Sequence, residues 1–179
     1  MALSSWKKLR QVFELKNPWW TYRHDEFEMP SGKKGEYHYV HTNGASMIIP
    51  VRDDGMVILV NQYRYLCNRE SIEFPCGSVK EGSTYDDTAV AELIEETGFK
   101  ANSLECIAEF NPYNGVTDEM CKVYIARSLT PAHAKKDDTE EFEYVYLTPK
   151  ELDDNIVSGK IWDGMTLAAW ALARHKAGK

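Results

Sequence analysis

The sequence predicts an α/β protein on three observations: a helical pattern over Thr84 to Thr97, alternating strand patterns over Glu36 to His41 and near 141–147, and two short C-terminal helices. Taken in order, Met1 to Lys16 puts Leu3, Trp6, Leu9, Val12 and Phe13 on a helical stripe and reads as a packing helix. It lacks the continuous apolar run and small-residue cleavage site of a signal peptide. Strands are expected near 19–29, 36–42, 45–52, 56–62, 106–111, 120–127 and 141–147, with a hairpin turn over Pro30-Ser-Gly-Lys-Lys-Gly35. Gly32-Lys33 lacks the spacing of a phosphate loop. In the central helix Ser83 or Thr84 is the cap, Asp86 and Asp87 occupy the first turn, and Gly98 is the stop. Ala89, Val90, Leu93 and Ile94 form its apolar stripe. The last helices are expected over 150–159 and 163–173.

Bulk properties exclude several functional classes. The chain has 179 residues and a formal net charge of -7, which argues against a general nucleic-acid surface. No apolar stretch approaches the roughly 20 residues of a membrane span. Cys67, Cys76, Cys106 and Cys121 form no paired motif, and free thiols in a cytoplasmic setting are the expectation. His24, His38, His41, His133 and His175 show no zinc spacing, and there is no G-x-S-x-G nucleophile elbow.

The most informative feature is the acidic end of the central helix. Glu92, Glu95 and Glu96 lie at i, i+3 and i+4 just before Gly98, where the helix dipole is negative and basic residues are favoured. Each like-charged pair costs about 0.2–0.5 kcal/mol. One reading is a solvated acidic face. The other is an oxygen-donor site for a hard divalent cation such as Mg²⁺ or Mn²⁺.

The segment Gly77 to Phe99 resembles the Nudix box, G-x5-E-x7-R-E-U-x-E-E-x-G-U, where U is a bulky aliphatic. Gly77, Glu92, Leu93, Glu95, Glu96 and Gly98 match in register, and Phe99 is an aromatic at the last U. Ser83 stands where the family has Glu, and Ala91 where it has Arg. Both charges are missing together, as expected if a structural pair was replaced by small neutral residues, a change that can be nearly neutral where losing one partner is costly. Upstream, Val57 to Tyr65 followed by Glu73-Phe-Pro-Cys-Gly77 is similar to the V-x-Q-Y-R … E-x-P-x-G arrangement of ADP-ribose pyrophosphatases and related nucleoside diphosphate sugar hydrolases. Phe110 to Glu119, followed by Val123 to Ala126, resembles the loop and strand that line the substrate cleft.

The resemblance implies a Nudix α/β/α sandwich with a mixed sheet, plus N-terminal antiparallel strands that contribute to a homodimer. Residues 1–44 would then be an N-terminal helix and β-hairpin for dimerisation and base stacking, and 45–179 the hydrolase domain. The implied reaction is hydrolysis of a nucleoside diphosphate sugar to a nucleoside monophosphate and a sugar phosphate. Dinucleotide or nucleoside triphosphate hydrolysis and a catalytically weak nucleotide sensor are the alternatives. The backbone carbonyl of Cys76 with Glu92 and Glu96 would hold Mg²⁺, or Mn²⁺, with Glu95 beside them as a further ligand or catalytic group. Arg64 would reach the diphosphate, pair with Glu73, or both, and Glu119 would make a polar loop contact. Trp19 or Trp20, near Tyr22, would stack on the base or be buried in the dimer. Glu140, then Glu141, is the expected general base, since water attacking phosphorus must lose a proton and the box carboxylates hold metal. Neither a membrane nor a nucleic-acid partner is implied.

Overall fold

The computed structural model describes residues 4–133 and 142–177, which form two compact units. One comprises the chain up to Asn43 together with Asn111–Glu119; the other comprises Gly44–Phe110 and the chain from Met120 onward.

The first unit is a three-stranded antiparallel meander of β1 (Lys7–Lys16), β2 (Thr21–Glu28) and β3 (Lys34–His41). The expected N-terminal helix is therefore corrected to a strand. Its apolar residues fit a helical stripe, but Val12 and Phe13 of that stripe remain exposed, as does Leu15. Pairing with β2 instead satisfies the backbone and sets up cross-strand contacts: Trp6 stacks on Phe27 at 4.6 Å, Lys8 Nζ lies 2.7 Å from Asp25, and Arg23 donates to Glu14 at 2.8 Å. Two register shifts, between Lys8 and Arg10 and between Gln11 and Phe13, break the strict alternation and obscure the strand in the sequence. The β2–β3 turn closes with Met29 N–H on the Lys33 carbonyl at 2.8 Å. Loop 111–119 joins this unit through Val40 N–H on the Val116 carbonyl (2.9 Å) and Asp118 N–H on the Val40 carbonyl (3.2 Å).

The second unit contains two sheets and three helices. A mixed sheet runs β7 (Cys76–Ser78), β4 (Ala45–Pro50), β9 (Cys121–Pro131), β8 (Phe99–Phe110), with β4 and β9 parallel. A second sheet orders β10 (Phe142–Leu147), β5 (Val57–Arg64) and β6 (Arg69–Glu73). The helices are α1 (Tyr85–Thr97), α2 (Pro149–Val157) and α3 (Gly164–Ala177). This is an α/β/α arrangement around a mixed sheet. Central strand β4 is buried along its whole length, as its uninterrupted run Ala45-Ser-Met-Ile-Ile-Pro50 requires. Period-two alternation sends Met47 and Ile49 into the larger core with Leu59, Val123, Ile125, Leu152 and Trp170, and Ile48 into a smaller one with Ala89, Leu93, Tyr124 and Ala126 under α1. Burying Leu93, 2% exposed, contributes about 1.5–3 kcal/mol. On α1 the expected stripe is corrected at one position: Val90 is half exposed, while Thr88 and Thr97 are buried.

Candidate active site

Helix α1 is fixed at both ends before its glutamates can do anything. At its start Thr84 is the cap: its hydroxyl accepts from Asp87 N–H (3.1 Å), and the Asp87 carboxylate accepts from Thr84 N–H (3.3 Å). Tyr124 on β9 donates to Asp86 at 2.5 Å, and Ser46 on β4 donates to the Tyr85 carbonyl at 2.7 Å. Burial and the Asp86 carboxylate push the Tyr124 hydroxyl far above its ordinary range, so it stays a donor. At its end Gly98 adopts the left-handed conformation (φ 71°) and donates to Ile94 O at 2.9 Å.

Two box glutamates meet strand β7 across this geometry. Cys76 N–H donates to Glu96 Oε2 at 3.1 Å. The N–H and C=O of one strand residue project to the same side, so the Cys76 carbonyl is directed to the side on which Glu96 lies. Glu92 lies over the α-carbon of Gly77, where an added Cβ would sit 1.9 Å from Glu92 Oε1. A larger residue there fits only if the Glu92 carboxylate swings aside. Glu96 is 9% exposed, Glu92 is half-buried and Glu95 is exposed. No basic residue occupies the last turn of α1. This donor set, carboxylates plus a main-chain carbonyl, suits a hard divalent cation that takes oxygen ligands. The Cys76 thiol packs against the larger core.

Arg64, at the end of β5, grips Glu73 on β6 with two parallel hydrogen bonds, Nε to Oε1 at 2.8 Å and Nη2 to Oε2. Gln62 also donates to Glu73 Oε2, at 3.4 Å. Glu73 is 3% exposed, so Arg64 and Gln62 compensate a buried charge, and that pairing raises the Arg64 pKa further. Half of the Arg64 side chain remains accessible. The ion pair forms, and the guanidinium keeps donors for a second anion.

The other expected residues fall in the first unit or outside the described residues. Trp19 and Trp20 lie not in a strand but in a turn, where Asn17 Oδ1 accepts from both of their N–H groups at 2.8 and 2.9 Å. That local turn starts β2 at Thr21 and leaves Trp19 78% exposed. Tyr22 points its hydroxyl at His38 Nδ1, 2.6 Å away. Glu119 accepts from Thr42 Oγ1 at 2.9 Å. Glu140 and Glu141 lie outside the described residues. Sequence spacing also missed a grouping of His24, Glu36 and His38, which come together across β2 and β3. The signal was available in the hairpin: once Glu28 pairs with Lys34, counting by residues brings His24 opposite His38.

Among the described residues, no helix is long and apolar enough to cross a membrane. A family model described as NUDIX domain matches residues 40–165. An ADP-ribose pyrophosphatase of Bacillus subtilis is 32% identical over 148 residues, covering 81% of this chain and 80% of that protein. A methanol dehydrogenase activator of Bacillus methanolicus is 29% identical over 147 residues, with the same coverage. A solved structure described as an ADP compounds hydrolase superposes with a TM-score of 0.85 over 98% of this chain and 95% of its own, at 22% identity, a likeness of fold.

Proposed function

Because the chain belongs to the Nudix family and is a Nudix hydrolase, we propose that it cleaves the diphosphate bond of nucleoside diphosphate sugars, ADP-ribose foremost, to a nucleoside monophosphate and a sugar phosphate. The observation that carries this is the pairing of α1 with β7: Glu92 seated over Gly77, and Glu96 held by the Cys76 amide. Glu92, Glu96 and the Cys76 carbonyl hold a divalent cation, Mg²⁺ or in its place Mn²⁺, with Glu95 beside them. When bound, the cation neutralises diphosphate charge and supplies Lewis acidity.

The chain's own groups do the rest. Arg64, preset by Glu73, donates to the diphosphate oxygens. Glu140, with Glu141 as the second choice, takes the proton as water adds to phosphorus and the bridging P–O bond breaks; the bridging oxygen leaves on the departing phosphate. Trp19 or Trp20 stacks on the base, an interaction of about 1–3 kcal/mol, or is buried in a homodimer formed through the N-terminal strands. Tyr22 and Glu119 complete the polar and aromatic contacts to substrate.

Ser83 and Ala91 favour a second reading, nucleotide binding with weak turnover. Both positions are exposed, so their small side chains strand no buried charge, and the fold of α1 tolerates the exchange under either reading. A panel of ADP-ribose, GDP-mannose, a UDP-sugar, a dinucleotide and a nucleoside triphosphate, each with Mg²⁺ or Mn²⁺, tests the assignment. Fastest turnover is expected with ADP-ribose, releasing AMP. Binding of nucleotide with no turnover of any diphosphate overturns the enzymatic reading in favour of the sensor. Full rate in Glu140→Gln overturns the choice of base.

A further inference from the structure

The hairpin of the first unit carries a grouping that the hydrolytic chemistry does not use. His24 on β2 and His38 on β3 are directly opposed, and Glu36, two residues before His38, shares their face. The imidazoles stack at 4.1 Å with 21° between their planes. Glu36 Oε2 lies between them, 3.3 Å from His24 Nε2 and 3.9 Å from His38 Nε2. One donor atom from each residue falls within 4.8 Å of the other two. Around a tetrahedral ion with bonds of about 2.0–2.1 Å, ligand atoms stand roughly 3.3 Å apart. The donor atoms are close enough to share one ion, and the stacked rings open on binding so that both in-plane lone pairs converge on it.

Two further observations point to an ion rather than to an ordinary surface pair. His24 Nε2 is buried and has no hydrogen-bond partner, although Glu36 is close, because the approach lacks hydrogen-bond geometry. A buried polar atom left this way is unfavourable, and a metal ion would satisfy it. His38 has its other nitrogen engaged: Nδ1 lies 2.6 Å from the Tyr22 hydroxyl. In the tautomer whose Nδ1–H donates to Tyr22, Nε2 presents its lone pair to an ion, and this is the outer hydrogen bond that orients most metal-binding histidines. The nearby carboxylate of Glu26 is kept out by Arg10, which holds both of its oxygens, at 2.9 and 2.5 Å.

We propose that His24, Glu36 and His38 form a site for a divalent first-row transition ion of the Zn²⁺ class, clipping β2 to β3. Two imidazoles and one carboxylate suit borderline ions such as Zn²⁺ and do not suit Mg²⁺. The three protein ligands leave a fourth position for water. This site stands on its own observations, although Tyr22, which orients His38, is shared with the substrate contacts proposed above.

The test is a Zn²⁺ titration of the full chain in excess Mg²⁺, which occupies the all-oxygen donors of α1. Calorimetry gives the stoichiometry, and Co²⁺ substitution gives the visible absorption of a nitrogen-containing site. One equivalent of Zn²⁺ is expected. Affinity should fall about tenfold or more in His38→Gln and in Glu36→Gln, and in Tyr22→Phe by a smaller factor. Absence of Zn²⁺ binding, or binding unchanged in the His24→Gln/His38→Gln double variant, overturns the proposal. If that variant does not fold, the imidazole nitrogen resonances of the parent protein decide: both Nε2 signals must shift with Zn²⁺, and unshifted signals overturn the site.

Discussion

The end of α1 and the β2–β3 hairpin each bring candidate ligand side chains together, and they do so by different means. At α1 the donors come from one helical turn, Glu92, Glu95 and Glu96, closed against β7 at Gly77 and Cys76. All of them are oxygen. On the hairpin the donors come from two strands, and imidazole nitrogens outnumber the carboxylate. The first arrangement favours a hard cation and the second a borderline one, so donor chemistry, rather than the number of acids, separates the two regions. The contrast also shows how each is encoded. Helical spacing is local and visible in the chain, whereas cross-strand opposition exists only once the register is set.

The largest effect expected is on the α1 side. Glu96→Gln should lower turnover by about 100-fold or more while leaving Zn²⁺ uptake in excess Mg²⁺ unchanged, because it removes a ligand from one region only. Loss of Zn²⁺ uptake in this variant would collapse the distinction between the regions. Gly77→Ala comes next. Its methyl group must displace the Glu92 carboxylate, so activity should fall about tenfold or more while denaturant unfolding changes little, because a flexible side-chain end can move aside. Full activity would show that Glu92 need not sit where it does.

Arg64→Ala strands the buried Glu73 carboxylate. Because Arg64 is half exposed and Gln62 still donates, we expect about 1–3 kcal/mol of destabilisation, less than for a fully buried pair. Replacing both partners with apolar residues should recover stability and still lose diphosphate affinity. Ala91→Arg should then weaken the dependence of activity on divalent ion by a few-fold, since it restores a positive charge beside Glu95, four residues on along the helix. An unchanged metal titration would show that the charge missing at position 91 does not set the metal dependence.

The smallest effect is expected on α2. Thr148 caps α2 and donates from its N–H and hydroxyl to Glu151, both at 2.8 Å, which holds that carboxyl below its ordinary 4.5. A carboxyl depressed in the folded state adds stability that is fully present above the unfolded value. That stability is lost as pH falls through the lower folded value. Glu151→Gln keeps the cap and removes the titration, so stability near neutrality should hold while the fall in stability below about pH 4.5 becomes shallower.

Much of the second unit was legible in the chain because its signals are short-range. The cap at Thr84, the stop at Gly98 and the triad of glutamates each depend on spacings within one helix. The Arg64–Glu73 pair was one of two readings left open; strand register sets Arg64 opposite Arg69 and Glu73 opposite Val60, and the ion pair forms because the long Arg64 side chain reaches along the sheet to Glu73. The first unit was less legible. A helical stripe at 1–16 gave way to β1 because strand pairing, with two bulges, offered partners that an isolated amphipathic helix lacked. Trp19 and Trp20 left the expected strand because Asn17 captures both of their amides.

By itself the sequence determined the α/β class, the helix that carries the acidic triad, and the oxygen-rich chemistry of its last turn. These follow from helical and strand periods and from residue types a few positions apart. Tertiary structure decided what faces those residues: that Glu92 lies over Gly77, that Glu96 takes the Cys76 amide, that Arg64 is committed to Glu73, and that His24 meets His38. The reason is physical. A side chain's spacing along its own element is fixed by backbone geometry, but its partner across a sheet or beyond a turn is fixed by register and packing, which local spacing does not specify.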